Sequence, residues 1–453
     1  MTVQAEHATT EPGARPRSAQ RHYGRAAVRL AFEAVGGMIH HVRGGPKSLP
    51  PGSHDSAMPD RITNSFSVAY RYPVIFTRDA FSPANPAVAD TCAAVGYGEG
   101  PTPALVLVDD GLAAAVPALT ERIAAYARVH AHVLDLRGPP DCVRGGEAAK
   151  DGWATPNQVL RLAAAAGLCR HSLVLAVGGG AMLDAVGLGV ALFHRGARLV
   201  RLPTTVLSQS DSGVGVKNGV NIDGVKNLAG VFAPPAAVIN DLLALTSLSD
   251  RDWIAGIAEA FKVAAIRDAG FLEWLGDSAI PLRRRDQMAM ETLVRRCAAL
   301  HCEHIGRGGD AFESGSARPL DFGHWAAHKL ESLTGFALRH GEAVAIGIAL
   351  DLFYASRLGL IDRPAGERVA QALWRCGLPI WHPELGRRDA TGTPVVLAGI
   401  AEFRQHLGGV LHVTFPAPLG QRRELTSIDH GTMAAAIADL AAFAAGLAAE
   451  ERP

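Results

Sequence analysis

The chain has 453 residues, enough for two domains, and its 48% hydrophobic and 19% charged residues are typical of a globular protein. Its 44 basic and 44 acidic residues cancel, so neither nucleic acid nor an anionic membrane is expected as a partner. The six cysteines form no CxxC pair, and neither an apolar leader nor a run of about 18 apolar residues is found, which together predict a cytoplasmic protein.

Residues 1–65 are predicted to form a flexible N-terminal arm. They are rich in Arg, Pro, Ser, Gly and His, and four prolines lie within Gly44–Arg61. A short helix is expected near Ala26–Val42, and the remaining composition is typical of a solvated segment.

A regular alternation of apolar strands and helices begins at Ser67. The segment Ser67–Phe76 is predicted to be an extended pair of strands. Further strands are expected at Ala104–Asp110, His130–Leu136, His171–Val177 and Ala197–Pro203, with helices at Pro117–Val129, Asn157–Ala166 and Asp184–Phe193. The alternation predicts an α/β nucleotide-binding domain over residues 66–242, with a mostly parallel sheet covered by helices on both faces.

The pattern changes near residue 242, where the strand signals largely fade. Helical spacing recurs in five runs: Trp253–Ile266, Met288–Cys302, His324–Leu333, Glu342–Leu358 and Met433–Ala449. The main exception is a short apolar stretch, Val410–Phe415. These runs predict an all-α metal and substrate domain over residues 243–453. The cleft between the two domains is the expected site.

A glycine-rich turn, Gly178-Gly179-Gly180, follows a predicted strand and opens a predicted helix. Glycines let the backbone approach a pyrophosphate, and a helix N-terminus offers it unpaired N–H groups. The spacing is not GxGxxG, so a standard Rossmann NAD site is not predicted, and a tight packing turn gives the same letters. Upstream, Glu147 and Lys150 lie in a predicted loop. Its composition suits the binding of a ribose or phosphate, and a solvated surface loop is the alternative.

Polar side chains concentrate in residues 208–227, between apolar elements. The segment holds four glycines and four groups suited to recognition: Asp211, Lys217, Lys226 and Asn227. Lysines and amides offer directed donors to phosphates and polyols, which favours a binding site over a long surface loop. Just before it, Thr204 and Thr205 end a strand in two hydroxyls.

Three residues from separate helical runs offer a metal site: Glu259, His324 and His340. Two imidazoles and one carboxylate are a common ligand set for catalytic zinc, which keeps one position open for substrate. His328 lies four residues after His324 and so shares its helix face. His301 and His304 form a competing pair, ranked lower because they lack a nearby carboxylate in a helix-facing context.

These motifs together resemble the 3-dehydroquinate synthase family, the sugar phosphate cyclases, over roughly Leu105 to Gly409. The resemblance rests on a dense series of segments: Gly-Gly-Glu147-Ala-Ala-Lys150, Gly178-Gly-Gly-Ala-Met-Leu-Asp184, Leu202-Pro-Thr-Thr205, Asp211-Ser-Gly-Val-Gly-Val-Lys217, Lys226-Asn227-Leu-Ala-Gly230, Gly256-Ile-Ala-Glu259-Ala-Phe-Lys262, Gly323-His324 and His340-Gly-Glu342. The family has an α/β nucleotide-binding domain followed by a helical metal domain. The resemblance therefore implies NAD and Zn²⁺ (or Co²⁺) as cofactors.

Residue roles follow from the same resemblance. The metal ligands would be Glu259, His324 and His340. NAD would be held by Asp110, Glu147, Lys150, Gly178, Gly179, Gly180, Asp184, Thr204, Thr205, Asp211 and Lys226. The small-molecule sugar phosphate would be held by Lys217, Asn227, Lys262, Asp321, His328, Arg195 and Arg404, with Lys217, Lys262, Asp211 and His328 as catalytic groups. Arg195 matches a family arginine that reaches the phosphate of the neighbouring subunit, which implies a homodimer.

The implied reaction is redox-neutral overall. The metal polarises a substrate hydroxyl, NAD takes a hydride from that carbon, phosphate leaves by elimination, and NADH returns the hydride. The sugar ring then opens and an intramolecular aldol reaction closes a carbocycle. Because one substrate is held through every step, positioning should carry much of the rate.

Departures from the family pattern bear on the substrate. Dehydroquinate synthases carry an arginine and an asparagine just before the first metal histidine, whereas this chain has Ala317, with Arg318 adjacent, and Asp321. A lysine that the family carries near residues 299–303 is absent here, and His301 is the nearest residue that could take its place. A second family lysine, closer to the C-terminus, corresponds to Arg404. An aspartate repels a carboxylate but accepts hydrogen bonds from hydroxyls. The changes therefore resemble the secondary-metabolic branch that cyclises sedoheptulose 7-phosphate to a valiolone-type C7 cyclitol, and the Ebo-type cyclases are the nearest in pattern.

Three alternatives remain at this point. The first is a true 3-dehydroquinate synthase. The second is a metal-dependent polyol or alcohol dehydrogenase of the glycerol dehydrogenase type, which needs no phosphate cluster. The third is a non-catalytic scaffold, which the intact ligands and lysines disfavour.

Overall fold

A sheet of seven parallel strands organises the first half of the chain in the computed structural model. The structure describes residues 61, 63–308, 310–312, 320–406 and 410–449, so the predicted arm and its helix near Ala26–Val42 lie almost wholly outside the described residues. The strands are β1 (Val74–Thr77), β2 (Thr102–Asp109), β3 (Leu134–Leu136), β4 (Asp141–Val143), β5 (Leu173–Gly178), β6 (Arg198–Pro203) and β9 (Ala237–Asp241). Their order is β1-β9-β6-β5-β2-β3, and β4 also pairs with β2.

Both faces of this sheet are buried. Along β2, Ala104, Val106 and Val108 pack into one hydrophobic cluster and Leu105 and Leu107 into another, as the two-residue period of a strand requires. The covering helices are Ala87–Val95, Asp110–Ala115, Leu119–Val129, Ala154–Ala165, Gly180–Leu192 and Val206–Ser210, with short 3₁₀ turns at Glu147–Lys150, Phe193–Arg195, Ser212–Val214 and Leu242–Ser247. The α/β fold predicted from the alternating pattern is confirmed.

The carboxyl ends of β2 and β5 mark the point where the chain changes direction across the sheet. From β2 the chain moves outward to β3, whereas β5 lies on the other side of β2 and leads inward to β6. Helices Leu119–Val129 and Gly180–Leu192 consequently pack on opposite faces. Such a switch point leaves a crevice in which α/β proteins bind ligands.

The structure adds to the sequence analysis of this half in two places, and the first is a correction. Ser67–Phe76 does not form a pair of strands. Only Val74–Thr77 pairs with the neighbouring strand β9, and Val68 and Tyr70, which precede it, are exposed. The polar stretch 208–227 is not one long loop. It contains β7 (Lys217–Ile222), which forms an antiparallel hairpin with β8 (Val225–Phe232).

The hairpin turn carries a sequence signal that explains it. Asp223 and Gly224, the two residues between the strands, have φ angles of 50° and 79°. A two-residue hairpin turn of this type needs two positive φ values, which an Asp-Gly pair adopts readily. The turn therefore directs Lys217 and Lys226 along adjacent strands of one ribbon.

The second half of the chain is mostly helical. Its helices are Asp250–Ala255, Ala258–Arg267, Ala269–Asp277, Ala279–Arg283, Gln287–Arg307, His324–Leu333, His340–Arg357, Arg363–Arg375, Pro383–Gly386, Ala398–His406 and His430–Ala448, with a 3₁₀ turn at Val395–Leu397. They enclose the largest hydrophobic cluster. The predicted run Trp253–Ile266 is broken at Gly256, where an added Cβ would lie 2.4 Å from Cβ of Val206.

The predicted all-α character of this half is wrong in one place. Strands β10 (Val413–Pro416) and β11 (Arg422–Leu425) form an antiparallel pair within it. The last strand of the main sheet ends at Asp241 and the first helix of the helical half begins at Asp250. The domain division at residues 242 and 243 remains a prediction.

One helix among the described residues, His430–Ala448, is long and apolar enough to span a membrane by length and composition alone. Its Met433, Ile437 and Leu440 belong to the large helical core. A core helix meets the same two criteria, so the helix carries no argument for a membrane location.

Candidate functional site

Three helices bring the predicted metal ligands together. Glu259 lies in the first turn of helix Ala258–Arg267, whereas His324 and His340 are the first residues of their helices. Nε2 of His324 is 3.7 Å and Nε2 of His340 is 3.4 Å from Oε1 of Glu259. All three candidate ligand atoms lie within 4.8 Å of one another.

This arrangement fits a tetrahedral metal ion. Two ligand atoms that each lie about 2.1 Å from a zinc ion at a tetrahedral angle are about 3.4 Å apart. Nδ1 of His324 lies 3.1 Å from the carbonyl oxygen of Phe322, and donation there leaves Nε2 free to face Glu259. Burial lowers the pKa of His324 to about 4, so the imidazole is held in the neutral form that a metal requires.

Lys262 supplies the positive charge beneath the cluster. Its Nζ lies 2.6 Å from Oε2 of Glu259 and 2.9 Å from Oδ2 of Asp211, and its side chain is buried. Burial alone would raise the pKa of Glu259, but the ammonium outweighs it and holds that pKa at about 2. Lys262 itself has a raised pKa, because the two carboxylates outweigh its burial, so all three groups stay charged.

The turn before His324 is held from behind by helix His340–Arg357. Gly323 has a φ of 79°, and a Cβ there would lie 2.8 Å from the backbone nitrogen of Ile348. The fully buried carboxylate of Asp351 accepts hydrogen bonds from the Gly323 N–H at 3.1 Å and the Trp325 indole at 2.9 Å. Asp351 thereby fixes the backbone that carries one metal ligand against the helix that carries another.

Asp351 should make stability depend on pH. Burial raises its pKa from 3.8 to about 7, so the stability it contributes is fully present below pH 3.8 and is lost as the pH rises through 7. Asp351→Asn cannot ionise. From pH 5 to pH 8, urea unfolding should shift the stability difference in favour of the variant by about 3 kcal/mol. Parallel pH profiles for the two proteins would contradict this assignment.

His301 joins the site through Asp211. Its Nδ1 lies 2.8 Å from Oδ1 of Asp211, whose other oxygen contacts Lys262. Lys262 and His301 outweigh burial and hold the pKa of Asp211 well below its usual value. His301 was ranked low from the sequence because no carboxylate lay near it. The structure supplies one from 90 residues away, and His301 and His304 both line the cavity.

A cavity of ≈ 410 Å³ beside the metal cluster gathers most of the predicted substrate residues. Among those lining it are Asp184, Asp211, Lys217, Lys226, Asn227, Lys262, Asp321 and His328. Burial, together with the neighbouring imidazoles of His324 and His340, lowers the pKa of His328 to about 3, so this imidazole is neutral. The cavity can therefore offer several ammonium groups, a carboxylate and a neutral imidazole to one ligand.

A buried guanidinium holds the loop that carries these groups. Arg201 is fully buried in β6, and its Nη1 donates to the carbonyls of Gly213 at 3.2 Å and Gly215 at 2.9 Å. Its Nη2 donates to the carbonyl of Lys217 at 3.0 Å and to Oδ1 of Asn218 at 2.7 Å. The backbone between Asp211 and β7 is thereby tied to the sheet.

A second cavity, of ≈ 420 Å³, continues from the metal cluster to the switch point of the sheet. Gly179, Thr204, Thr205 and His340 are among its lining residues. Helix Gly180–Leu192 begins without a side-chain cap, so its first N–H groups can meet an anion. A Cβ on Gly180 would lie 2.3 Å from Oγ of Ser212, which shows how closely the turn packs.

Asp109, not Asp110, lines this cavity. Asp110 is exposed, and its carboxylate accepts from the Gly145 N–H at 2.8 Å. Asp109 is buried against two glycines: a Cβ on Gly145 would lie 2.1 Å from Oδ1 of Asp109, and one on Gly178 2.8 Å from its Cβ. The predicted strand Ala104–Asp110 ends one residue beyond β2 (Thr102–Asp109), and Asp109, the last residue of that strand, was not singled out.

Other predicted cofactor residues form ion pairs at the rim. Lys150 is buried and pairs with Asp184 at 2.9 Å. Glu147 lies 3.7 Å from Nζ of Lys226, and its Oε1 accepts from Asn221 at 3.3 Å. The loop around Glu147 thus touches the β7–β8 hairpin.

Two predicted substrate residues lie outside the cavity. Arg404 is exposed on helix Ala398–His406, although its neighbour Phe403 lines the cavity. Arg195 is exposed in the short turn that follows helix Gly180–Leu192. The glycine turn lies at the other end of the same helix, where the helix begins. Arg195 therefore cannot serve the cavity of its own subunit.

Sequence reasoning missed one further residue, Glu331. It is buried, and its Oε1 lies 2.9 Å from Nζ of Lys226 and 3.4 Å from Nδ1 of His340. It lies three residues after His328, a spacing that puts both on one helix face and could have been noticed.

Known proteins match this chain over most of its length. The model of the 3-dehydroquinate synthase N-terminal domain matches residues 142–255, and that of its C-terminal domain matches residues 256–393. The 3-dehydroquinate synthase of Paracoccus denitrificans is 38% identical over 286 residues, which cover 62% of this chain and 74% of that protein. The 2-epi-5-epi-valiolone synthase of Streptomyces glaucescens is 35% identical over 360 residues, or 78% and 86% of the two chains.

A solved structure agrees with these relatives. The 2-epi-5-epi-valiolone synthase of Streptomyces hygroscopicus, solved with NAD⁺ and Zn²⁺ bound, superposes with a TM-score of 0.72 at 29% identity, covering 84% of this chain and 99% of that one. Taken with the two family models and the two sequence relatives, these findings show that the chain belongs to the 3-dehydroquinate synthase family of sugar phosphate cyclases.

Proposed function

We propose that this protein cyclises sedoheptulose 7-phosphate to a C7 cyclitol with release of phosphate, using NAD and a divalent metal, Zn²⁺ or Co²⁺. The observation that carries the choice of substrate is Asp321, which lines the same cavity as the metal cluster and the lysines. A carboxylate there repels a substrate carboxylate and accepts from the hydroxyls of a neutral ketose. The proposal extends to the valiolone-type branch, since a relative at 35% identity is a valiolone synthase.

The chain's own residues supply binding, orientation and charge. When bound, the metal would polarise the hydroxyl to be oxidised and the nicotinamide would take and return one hydride. Lys217, Lys226 and Asn227 would hold the phosphate from the hairpin, because ammonium and amide donors converge on the cavity there. Lys262 would keep Glu259 and Asp211 ionised, and the neutral His328 would hydrogen-bond a substrate hydroxyl.

The position of Arg195 supports a homodimer. Its side chain lies at the far end of helix Gly180–Leu192, away from its own cavity and exposed. We propose that it completes the phosphate site of a second copy. The cytoplasmic location and the domain division at residue 242 are also proposals, as are the NAD-binding roles of Glu147, Lys150, Asp184, Thr204 and Thr205.

Phosphate release tests the proposed reaction directly. Purified protein with NAD and Zn²⁺ would be given sedoheptulose 7-phosphate or 3-deoxy-arabino-heptulosonate 7-phosphate in parallel. Release from the first alone is expected. Release from the second alone would make the protein a 3-dehydroquinate synthase, and steady NADH formation without phosphate release would make it a dehydrogenase.

Asp321→Asn should shift preference toward the carboxylate substrate. The change removes a negative charge that would face the C1 end of the bound substrate, and one charge contact of this kind is worth about 1–3 kcal/mol, or roughly 10–100-fold in relative kcat/KM. The ratio of kcat/KM for the two heptulose phosphates measures it. Glu402→Asn, at an exposed acidic residue outside the cavity, serves as the control. An unchanged ratio would refute the assigned role of Asp321.

A further inference from the structure

Glu331 is a buried carboxylate that the proposed reaction does not use. It lies in the third turn of helix His324–Leu333 and is 3% exposed. Its Oε1 lies 2.9 Å from Nζ of Lys226 and 3.4 Å from Nδ1 of His340. A carboxylate buried to this degree requires specific partners.

The two nitrogens of His340 face different carboxylates. Nε2 points to Glu259 at 3.4 Å, on the side of the metal cluster, and Nδ1 points to Glu331 at 3.4 Å. With a proton on Nδ1, the lone pair of Nε2 is directed at the position that Glu259 and His324 share. A carboxylate behind a metal-binding imidazole sets the tautomer, orients the ring and raises its basicity.

The same carboxylate oxygen also fixes Lys226. Oε1 of Glu331 accepts from Nζ of Lys226 at 2.9 Å, and Lys226 in turn lies 3.7 Å from Glu147 on the loop beside β4. Glu331 therefore stands between a candidate metal ligand on one side and a lysine of the hairpin on the other.

We propose that Glu331 is a positioning residue that orients His340 for metal binding and anchors Lys226 beside it. The inference rests on the proposed function, because it takes Glu259, His324 and His340 as the metal ligands. It assigns the metal cluster a supporting carboxylate.

A competing arrangement uses Glu331 as a ligand. His328, Glu331 and His340 also offer three ligand atoms within 4.8 Å of one another. That set would employ Nδ1 of His340 and draw Glu331 away from the ammonium of Lys226 at 2.9 Å. In the first set both Nε2 atoms converge on one oxygen of Glu259, and each Nδ1 already has an acceptor, Phe322 or Glu331. The first set therefore leaves fewer groups unpaired.

Cobalt titration tests the proposal without relying on turnover. Metal-free protein would be titrated with Co²⁺ and followed by the visible absorption of the bound ion. Glu331→Ala should weaken Co²⁺ binding about 10–100-fold, the usual effect of losing a carboxylate behind a metal-bound imidazole. Glu331→Gln keeps an acceptor for Nδ1–H and should recover part of that loss. The spectrum at saturation should stay close to that of the wild type, since the ligand atoms are unchanged.

The control is Glu402→Ala, which removes an exposed carboxylate on helix Ala398–His406. This carboxylate pairs with Lys329, a residue of the helix that also carries Glu331. It should bind Co²⁺ like the wild type. Equal Co²⁺ affinity in Glu331→Ala and the wild type would overturn this inference but not the metal centre. An altered spectrum at saturation in both Glu331 variants would also overturn it, because Glu331 would then be a ligand. Failure of the wild type to bind Co²⁺ would overturn the inference and the metal centre together. Phosphate release from the wild type independently decides the proposed function.

Discussion

Glu259→Gln and His324→Ala should each lower turnover of the sugar phosphate by at least about 10³-fold. Each removes one of three candidate ligand atoms that lie within 4.8 Å of one another, and a catalytic metal contributes several kcal/mol of charge stabilisation. Phosphate release under saturating substrate measures the loss, and metal content after dialysis should fall with it. The parallel sheet lies outside the cluster and should stay folded by circular dichroism.

His430→Ala is the matched control for this prediction. His430 is also the first residue of a helix, but it is exposed and outside the cavities. Its replacement should leave turnover and metal content unchanged. Full wild-type activity after chelation and dialysis, or an active His324→Ala protein, would rule out the assigned metal centre.

Lys262→Met should destabilise the metal-free protein by about 3–5 kcal/mol at neutral pH, because it leaves two buried carboxylates without their cation. Both Asp211 and Glu259 lie within 2.9 Å of Nζ. Their folded pKa values are depressed, so the stability they contribute is present above their usual pKa values and is lost as the pH falls through the folded values. The cost of the substitution should therefore shrink in acid, where the unpaired carboxylates protonate. Urea unfolding at several pH values measures it.

Lys329→Met gives the matched comparison. Lys329 pairs with Glu402 at 2.5 Å, but Glu402 is 53% exposed, and ion pairs with an exposed partner contribute about 0–1 kcal/mol. A similar loss of stability in both variants would mean that removal of a lysine stem, rather than the buried charges, explains the effect.

The three candidate ligand residues could be singled out from the sequence because each stands in a recognisable local context. Glu259 lies in a helical run, and His324 and His340 open two others, so ligand type and family resemblance pointed to the same three residues. The parallel sheet was equally accessible, since strand length and the Gly178–Gly180 turn are local signals.

The missed residues depend on partners that are distant in sequence. His301 looks like a surface histidine until Asp211 is brought to it, and Glu331 gains its meaning only from His340 and Lys226. The hairpin β7–β8 was overlooked although Asp223 and Gly224 signal its turn. Asp109, which lines the cavity beside the glycine turn, was not singled out because a strand end cannot be located to a single residue from apolar letters, and the NAD-binding role of Asp110 stays a prediction.

The guanidinium of Arg201 has a consequence for the entropy of ligand binding. Five hydrogen bonds from one buried side chain, four of them to backbone carbonyls, fix the segment from Ser212 to Asn218 before any ligand arrives. The conformational freedom of this loop is thus lost during folding and does not have to be lost again on association. A ligand that meets Lys217 encounters a backbone already set in place, and more of the interaction energy remains for holding the substrate through several chemical steps.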